Sequence, residues 1–298
     1  MISRSLKAHL LLLAATFVWG ATFIVIKSAL ADSSPLLFNA VRMTIASVAL
    51  LAIFHRELRR LPMGALRAGS MIGAMMWLGY EFQTAGLLYT SASKSAFVTG
   101  VSVLLVPLLM ATFWRRHINR FTLGGVAAAL MGLYLLCFPP GQGLMLSSLN
   151  RGDLLTLGCA VAFAFQIIAV GDAAQHYDFA HLVTVEIAVC ALLMLLSIPL
   201  ERGAYIRFTP GVVAALAITA LIGTVVCFII QAWAQRFTPP THTALIFAME
   251  PVFAGVTSYV VIGERLGVRG MLGAGLILAG VIASELLGHV QKPEEGLA

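Results

Sequence analysis

Residues 8–30 read AHLLLLAATFVWGATFIVIKSAL, an unbroken apolar stretch whose one formal charge is Lys27. About 20 such residues, wound as a helix, cross the ~30 Å hydrocarbon core of a bilayer, whereas helices buried in soluble proteins show apolar runs of roughly 10–14. Arg4 and Lys7 precede a leucine-rich run, as in a secretory signal. The apolar stretch is longer than the ~7–15 residues of a cleaved hydrophobic region, so the segment is read as a first transmembrane helix retained in the mature protein.

Outward from that segment the pattern repeats to the end of the chain. Runs bounded by charges or prolines lie near 8–30, 35–54, 65–88, 91–113, 121–138, 152–172, 179–200, 210–233, 241–262 and 268–288. Ten helices in a bilayer are therefore expected, with no separate soluble domain between them. The bulk composition agrees: 60% of residues are hydrophobic and 11% charged, against about 25% charged in soluble domains, and the mean hydropathy is +0.94. The net charge of +6 does not indicate a nucleic-acid partner. Its basic residues sit in the short connections, where they encode orientation. The lipid bilayer is the partner this composition implies. Cys137, Cys159, Cys190 and Cys227 all fall within apolar runs without metal-ligand spacing, as buried thiols do.

The longest connection, Pro139 to Arg151, lies at the midpoint of the chain. A shift of 148 residues aligns the chain with itself without gaps from Gln83 to Gly132. Gln83 then meets Gln231, Thr90 meets Thr238, Ala96 meets Ala244, Gly125 meets Gly273 and Gly132 meets Gly280. The glycines of each pair are seven residues apart, two helical turns, so they share a face that permits close helix approach. The expected organisation is an all-α membrane protein of two related five-helix repeats, 1–145 and 151–290, with a polar tail at 291–298. An odd number of helices per repeat inverts the second relative to the first, an arrangement in which solutes bind near the midplane between the halves.

Loop charges set the expected orientation. With the N-terminus inside, Arg4, Lys7, Arg56, Arg59, Arg60, Arg67, Arg115, Arg116 and Arg120 are cytoplasmic, and only Lys27 and Lys94 lie near the outer side. The second half opposes this, with Arg202, Arg207, Arg265 and Arg269 outside against Arg236 and Lys292 inside. The first half carries the larger bias and inserts first, so both termini are expected in the cytoplasm.

Trp19-Gly20-Ala21-Thr22-Phe23 followed by Lys27, Arg42 in the second helix, Ala96-Phe97-Val98-Thr99-Gly100 leading to Pro107, Glu250-Pro251 in the ninth, and Gly263-Glu264-Arg265-Leu266 before the last helix together resemble the EamA family of the drug/metabolite transporter superfamily. The resemblance covers nearly the whole chain in two copies. The first copy departs from it, with Arg115-Arg116-His117-Ile118 where the second has its G-E-R-L loop. The resemblance implies an inner-membrane exporter or exchanger of amino acids or similar small metabolites. Superfamily members that carry sugar phosphates or nucleotide sugars keep those solutes open.

Ionisable groups within hydrocarbon are expensive and mark function or pairing. Arg42 and Glu81 fall at similar depth in oppositely running helices, and are read either as a structural ion pair or as charges facing a cavity, where Arg42 would meet a solute carboxylate. Glu250 sits mid-helix before Pro251, a residue that can kink the helix, and is read as a proton or solute site or as a structural hydrogen bonder. Glu186 lies toward the cytoplasmic end of its helix, within reach of water. Gln83, Gln166 and Gln231 are membrane amides suited equally to interhelical bonds and to ligand contact. Trp19, Trp77, Tyr80 and Trp233 are read as an aromatic cavity wall or as interfacial anchors, and Trp19 and Trp77, well inside their spans, are the better cavity candidates.

No G-x-x-x-x-G-K-[ST], G-x-S-x-G or H-E-x-x-H motif occurs, so the sequence offers no phosphate loop, serine elbow or zinc helix. No cofactor or metal is expected. A channel or an intramembrane enzyme is the competing class, and a carrier driven by a solute or proton gradient is the expected function.

Overall fold

The computed structural model describes residues 3–87, 89, 98–115, 118–138, 150–201, 203–263 and 267–288. Lys94, Ala96-Phe97, Arg116-His117, Glu264 to Leu266, most of the midpoint linker and the polar tail lie outside them.

The described residues form helical rods in chain order. They are α1 Arg4–Ala29, α2 Pro35–Ile53, α3 Met63–Leu87, α4 Ser102–Trp114, α5 Arg120–Cys137, α6 Arg151–His176, α7 Phe179–Ser197, α8 Pro210–Ala234, α9 in two segments, Pro240–Phe247 and Glu250–Ile262, and α10 Val268–Gly288. Helix starts carry their own signals. Ser3 accepts from the amide of Leu6, Asn119 from Phe121 and Asp178 from Ala180, while Asn150 and Asp153 form a reciprocal capping box, each satisfying amides that no helical carbonyl can reach.

Seven of these helices are long and apolar enough to cross a membrane: α1, α2, α5, α6, α7, α8 and α9. The segments Val98–Trp114 and Val268–Ser284 are apolar but shorter. The remaining rod, α3, has the length, yet its sequence is diluted by Arg67, Ser70, Glu81, Gln83 and Thr84. The ten expected crossings thus differ from the seven that length and composition identify, and they differ at these three helices.

Helix packing follows a rule of exchange. Helix α1 lies on α8 and α9, and α6 lies on α3 and α4; α2 lies on α8, and α7 on α3; α2 meets α7, and α5 meets α10. Adding five to each helix number, counting round past ten, turns each contact into another on the same roster.

The α5–α10 contact is the most extensive. A Cβ on Gly125 would come within 2.6 Å of the Gly280 carbonyl oxygen, and one on Gly132 within 2.5 Å of that of Gly273. An early residue of one helix meets a late residue of the other, so the two run antiparallel. Where Gly125 approaches, the hydroxyls of Thr122 and Ser284 also meet, at 3.4 Å.

Two helices depart from regular geometry. In α8, Ile218–Val226 widens into a π-helix, a form that concentrates at functional sites. In α9 the chain turns at Ala248-Met249, whose amides fall back on carbonyls three or four residues earlier. The expected kink is therefore present but precedes Pro251. Pro251 stands in the first turn of the second segment, where its missing N–H removes no bond.

At one end of the bundle the α7–α8 connection clasps the α1–α2 connection. Ser33 and Ile206 form an antiparallel bridge, the Ser34 amide donates to the Tyr205 carbonyl at 2.8 Å, and that of Arg207 to Asp32 at 2.8 Å. The Glu201 carboxylate accepts from the Ser34 hydroxyl at 2.9 Å and from the Leu37 amide at 3.2 Å, capping the start of α2.

The glycine contacts yield a stability prediction. Gly132→Ala forces a methyl against backbone and should cost about 1–3 kcal/mol. Gly124→Ala, one residue from Gly125 with open space around its Cβ, should hold or slightly raise stability, because Ala favours helix over Gly. Melting temperatures in detergent check both; equal effects would contradict the close approach.

Candidate functional site

Arg42 is 6% exposed on α2. Its guanidinium carbon lies 5.1 Å from the centre of the Tyr80 ring, which in turn meets Phe163 of α6 edge to face at 5.6 Å. A cation over an aromatic face is attracted by the ring quadrupole, more strongly when water is excluded. Nε and Nη2 of Arg42 have no hydrogen-bond partner.

Glu81 does not supply one. Among the described residues no Arg42–Glu81 ion pair forms; Glu81 lies instead beside Trp77 and Ser197. The Trp77 indole donates to the Ser197 hydroxyl at 2.9 Å, which donates to the Leu193 carbonyl at 2.9 Å. The cause is helical geometry. Successive residues point about 100° apart, so with Tyr80 turned to Arg42, Glu81 faces α7.

Glu186 corrects the sequence reading most. It does not reach water: it is 1% exposed and its Oε1 accepts from Gln166 Nε2 at 2.7 Å. Gly73 explains the burial, since a side chain there would collide with the Glu186 carbonyl; without one, α3 closes over α7. Gln166 Oε1 accepts from Gln231 Nε2 at 3.3 Å, which also donates to Gln235 Oε1 at 3.0 Å, and Gln235 Nε2 donates to the Ile167 carbonyl at 2.8 Å. This chain of amides ties α6, α7 and α8 together, its four side chains all 1–3% exposed. Gln235 was missed by sequence reading, although a Gln four residues after Gln231 shares its helix face. Gln83, the counterpart of Gln231, is half-buried on α3 and takes no part in the chain.

The aromatic wall is more structural than expected at Trp19. Its indole donates to the Gly223 carbonyl at 2.7 Å, inside the π-helix, and its ring wedges between Phe228 at 5.4 Å and Phe247 at 5.0 Å. Next to it, Gly20 lets α1 approach the backbone of Glu250 and Ala254. Glu250, half-buried, opens the second segment of α9, where the positive end of the helix dipole favours a carboxylate. It lies within electrostatic reach of Tyr80 and Cys159. Cys190 of α7 lies within reach of Arg42, Glu81 and Glu186. Arg42, Tyr80, Glu81, Glu186 and Glu250, drawn from α2, α3, α7 and α9, are thereby gathered about one region. Among the described residues, no three of His, Cys, Asp or Glu are placed to hold a metal.

The amide chain makes a prediction. Gln166→Leu leaves the Glu186 carboxyl and one Gln231 donor buried without their partner and should cost about 1–3 kcal/mol. Changing both Gln166 and Glu186 to Leu should recover part of that loss. Thermal melts of the three proteins decide; an unchanged single mutant would contradict the network.

Comparison with known proteins gives a consistent result. A family model described as "EamA-like transporter family" matches residues 6–138 and 150–285. A protein of Archaeoglobus fulgidus named as an uncharacterized transporter is 32% identical over 95% of this chain and 87% of its own length. The threonine/homoserine exporter RhtA of Escherichia coli K12 is 26% identical over 83% of this chain and 81% of its own. An S-adenosylmethionine/S-adenosylhomocysteine transporter of Chlamydia muridarum is 30% identical over 42% of this chain and 41% of its own. A solved crystal structure superposes with a TM-score of 0.77 at 18% identity, covering 94% of this chain and 97% of that one.

Proposed function

The chain belongs to the EamA-like transporter family, and from that premise we propose that it is a secondary carrier moving a small amphipathic metabolite of the amino-acid type by alternating access. In this reading ten helices cross the inner membrane as two inverted five-helix halves, 1–145 and 151–290, with both termini in the cytoplasm. Net movement is export or exchange, with protons as a candidate coupling ion. Family and relatives' names point to transport rather than catalysis.

The observation that carries the reading is the gathering of Arg42, Tyr80, Glu81, Glu186 and Glu250 in an otherwise apolar bundle. Charges at that depth are costly unless they serve a pathway or pair with one another. Two further observations support inversion. Equivalent helices of inverted halves run antiparallel where they meet, as α5 and α10 do. An exchange of halves that swaps Gly125 with Gly273 and Gly132 with Gly280 also exchanges the two glycine contacts with each other. The family model, matching each half in turn, supports the same division.

Orientation is tested by labelling. In a chain freed of its four cysteines, Cys at Ala31, exposed in the α1–α2 connection, and Cys at Arg59 should react with an impermeant thiol reagent from opposite sides of the membrane, position 59 from the cytoplasmic side. Labelling of position 59 from outside would overturn the assignment.

Function is tested by flux. Purified protein in liposomes should show saturable, counter-transported uptake of at least one of a panel of amino acids, sugar phosphates and nucleotide sugars, with and without a pH gradient. Non-saturating flux without counter-transport would indicate a channel, and chemical turnover of a solute an enzyme. Acceptance of sugar phosphates or nucleotide sugars alone would replace the amino-acid solute with the other solute class of the superfamily.

A further inference from the structure

The guanidinium of Arg42, 6% exposed in the middle of α2, leaves two of its nitrogens without a hydrogen-bond partner. A buried arginine that serves folding ends on a carboxylate or on carbonyls, because an unpaired buried charge is costly. Here, among the described residues, none of the acids gathered about the region pairs with Arg42: Glu81 lies beside Trp77 and Ser197, Glu186 accepts from Gln166, and Glu250 opens the second segment of α9. Tyr80 covers the face of the guanidinium, and its hydroxyl lies close enough to interact with it, while Nε and Nη2 have no partner at hydrogen-bond geometry.

The unpartnered atoms are Nε and Nη2. These two form the side-on edge of the guanidinium, a pair of parallel N–H groups matching two oxygens of a carboxylate or phosphate. Position adds to the chemistry. Arg42 is the eighth residue of α2 and Glu186 the eighth of α7. These two helices face each other across the boundary between the halves, the place where inverted-repeat carriers hold their solutes. At the same count from their helix starts, then, one helix carries an acid already satisfied within its own half, and the other a cation that is not.

We propose that the side-on edge of Arg42, backed by Tyr80, is the seat for an oxyanion on the transported solute. The solute is then a small organic acid, zwitterion or phosphate ester rather than a neutral or purely cationic compound. The proposal rests on the carrier reading above. In the present conformation the edge is shielded from solvent, so the solute reaches it when the halves part.

The test pairs each probe that bears an oxyanion with a mate that lacks it: L-threonine with L-threoninamide, and glycerol 3-phosphate with glycerol. Counterflow into liposomes is measured for wild type, Arg42→Gln and Arg42→Lys. For at least one pair, wild type should move the oxyanion at least tenfold faster than its mate. Arg42→Gln should bring the oxyanion down to the rate of the mate without slowing the mate, and Arg42→Lys should fall between. The pair that responds separates a carboxylate from a phosphate. Because the charge completes no internal pair, Arg42→Gln should also melt at or above the wild-type temperature. A mutant that unfolds, or that slows acid and mate by the same factor, overturns the seat while leaving the carrier reading intact. Wild-type liposomes that move none of the four probes, nor any solute of the broader panel, overturn both.

Discussion

The structure is governed by the cost of an unsatisfied polar group where water is absent. That cost selects helices, which close their own backbone bonds, and it dictates what happens wherever helices depart from regularity. The π-helix in α8 opens its hydrogen-bonding pattern, and the carbonyl of Gly223 inside it is met by the indole of Trp19. Glu186 is buried, and a relay of amides reaches it from two other helices, α6 and α8. The start of α2 faces the end of the bundle, and Glu201 from the other half caps it. Against this near-complete satisfaction, the bare edge of Arg42 acquires its meaning.

The second constraint is steric. Without an apolar driving force between helices in lipid, association depends on close packing and small residues. Glycines at 125, 132, 273 and 280 bring α5 and α10 to backbone contact, Gly73 lets α3 close over Glu186, and Gly20 brings α1 onto the broken α9. Each approach joins one half to the other. The two segments matched by the family model therefore meet through narrow, glycine-lined contacts.

Much of this was legible in the sequence. The apolar runs gave most helix ends to within about four residues, because bilayer thickness sets their length. The 148-residue shift found the glycines that later met, because close approach leaves so few residue types. Side-chain partners were less legible. Glu81 and Arg42 matched in depth, but depth says nothing of azimuth, and the turn from Tyr80 to Glu81 separates them. Glu186 looked water-accessible because its burial depends on Gly73, more than a hundred residues away. Trp19 looked like a cavity wall because nothing in a helical pattern announces that a distant helix will widen and expose a carbonyl.

The central claim is that position 42 lies on a path opened alternately to the two sides of the membrane. It is tested most directly by Arg42→Cys in a cysteine-free chain, probed with a membrane-impermeant thiol reagent in right-side-out and inside-out vesicles. The account predicts reaction from both sides, slowed by a transported solute, and reaction from a single side once a disulfide between cysteines at Ser33 and Ile206 fastens the clasp. A residue 42 that reacts from neither side, or whose reactivity is indifferent to that disulfide, would contradict it.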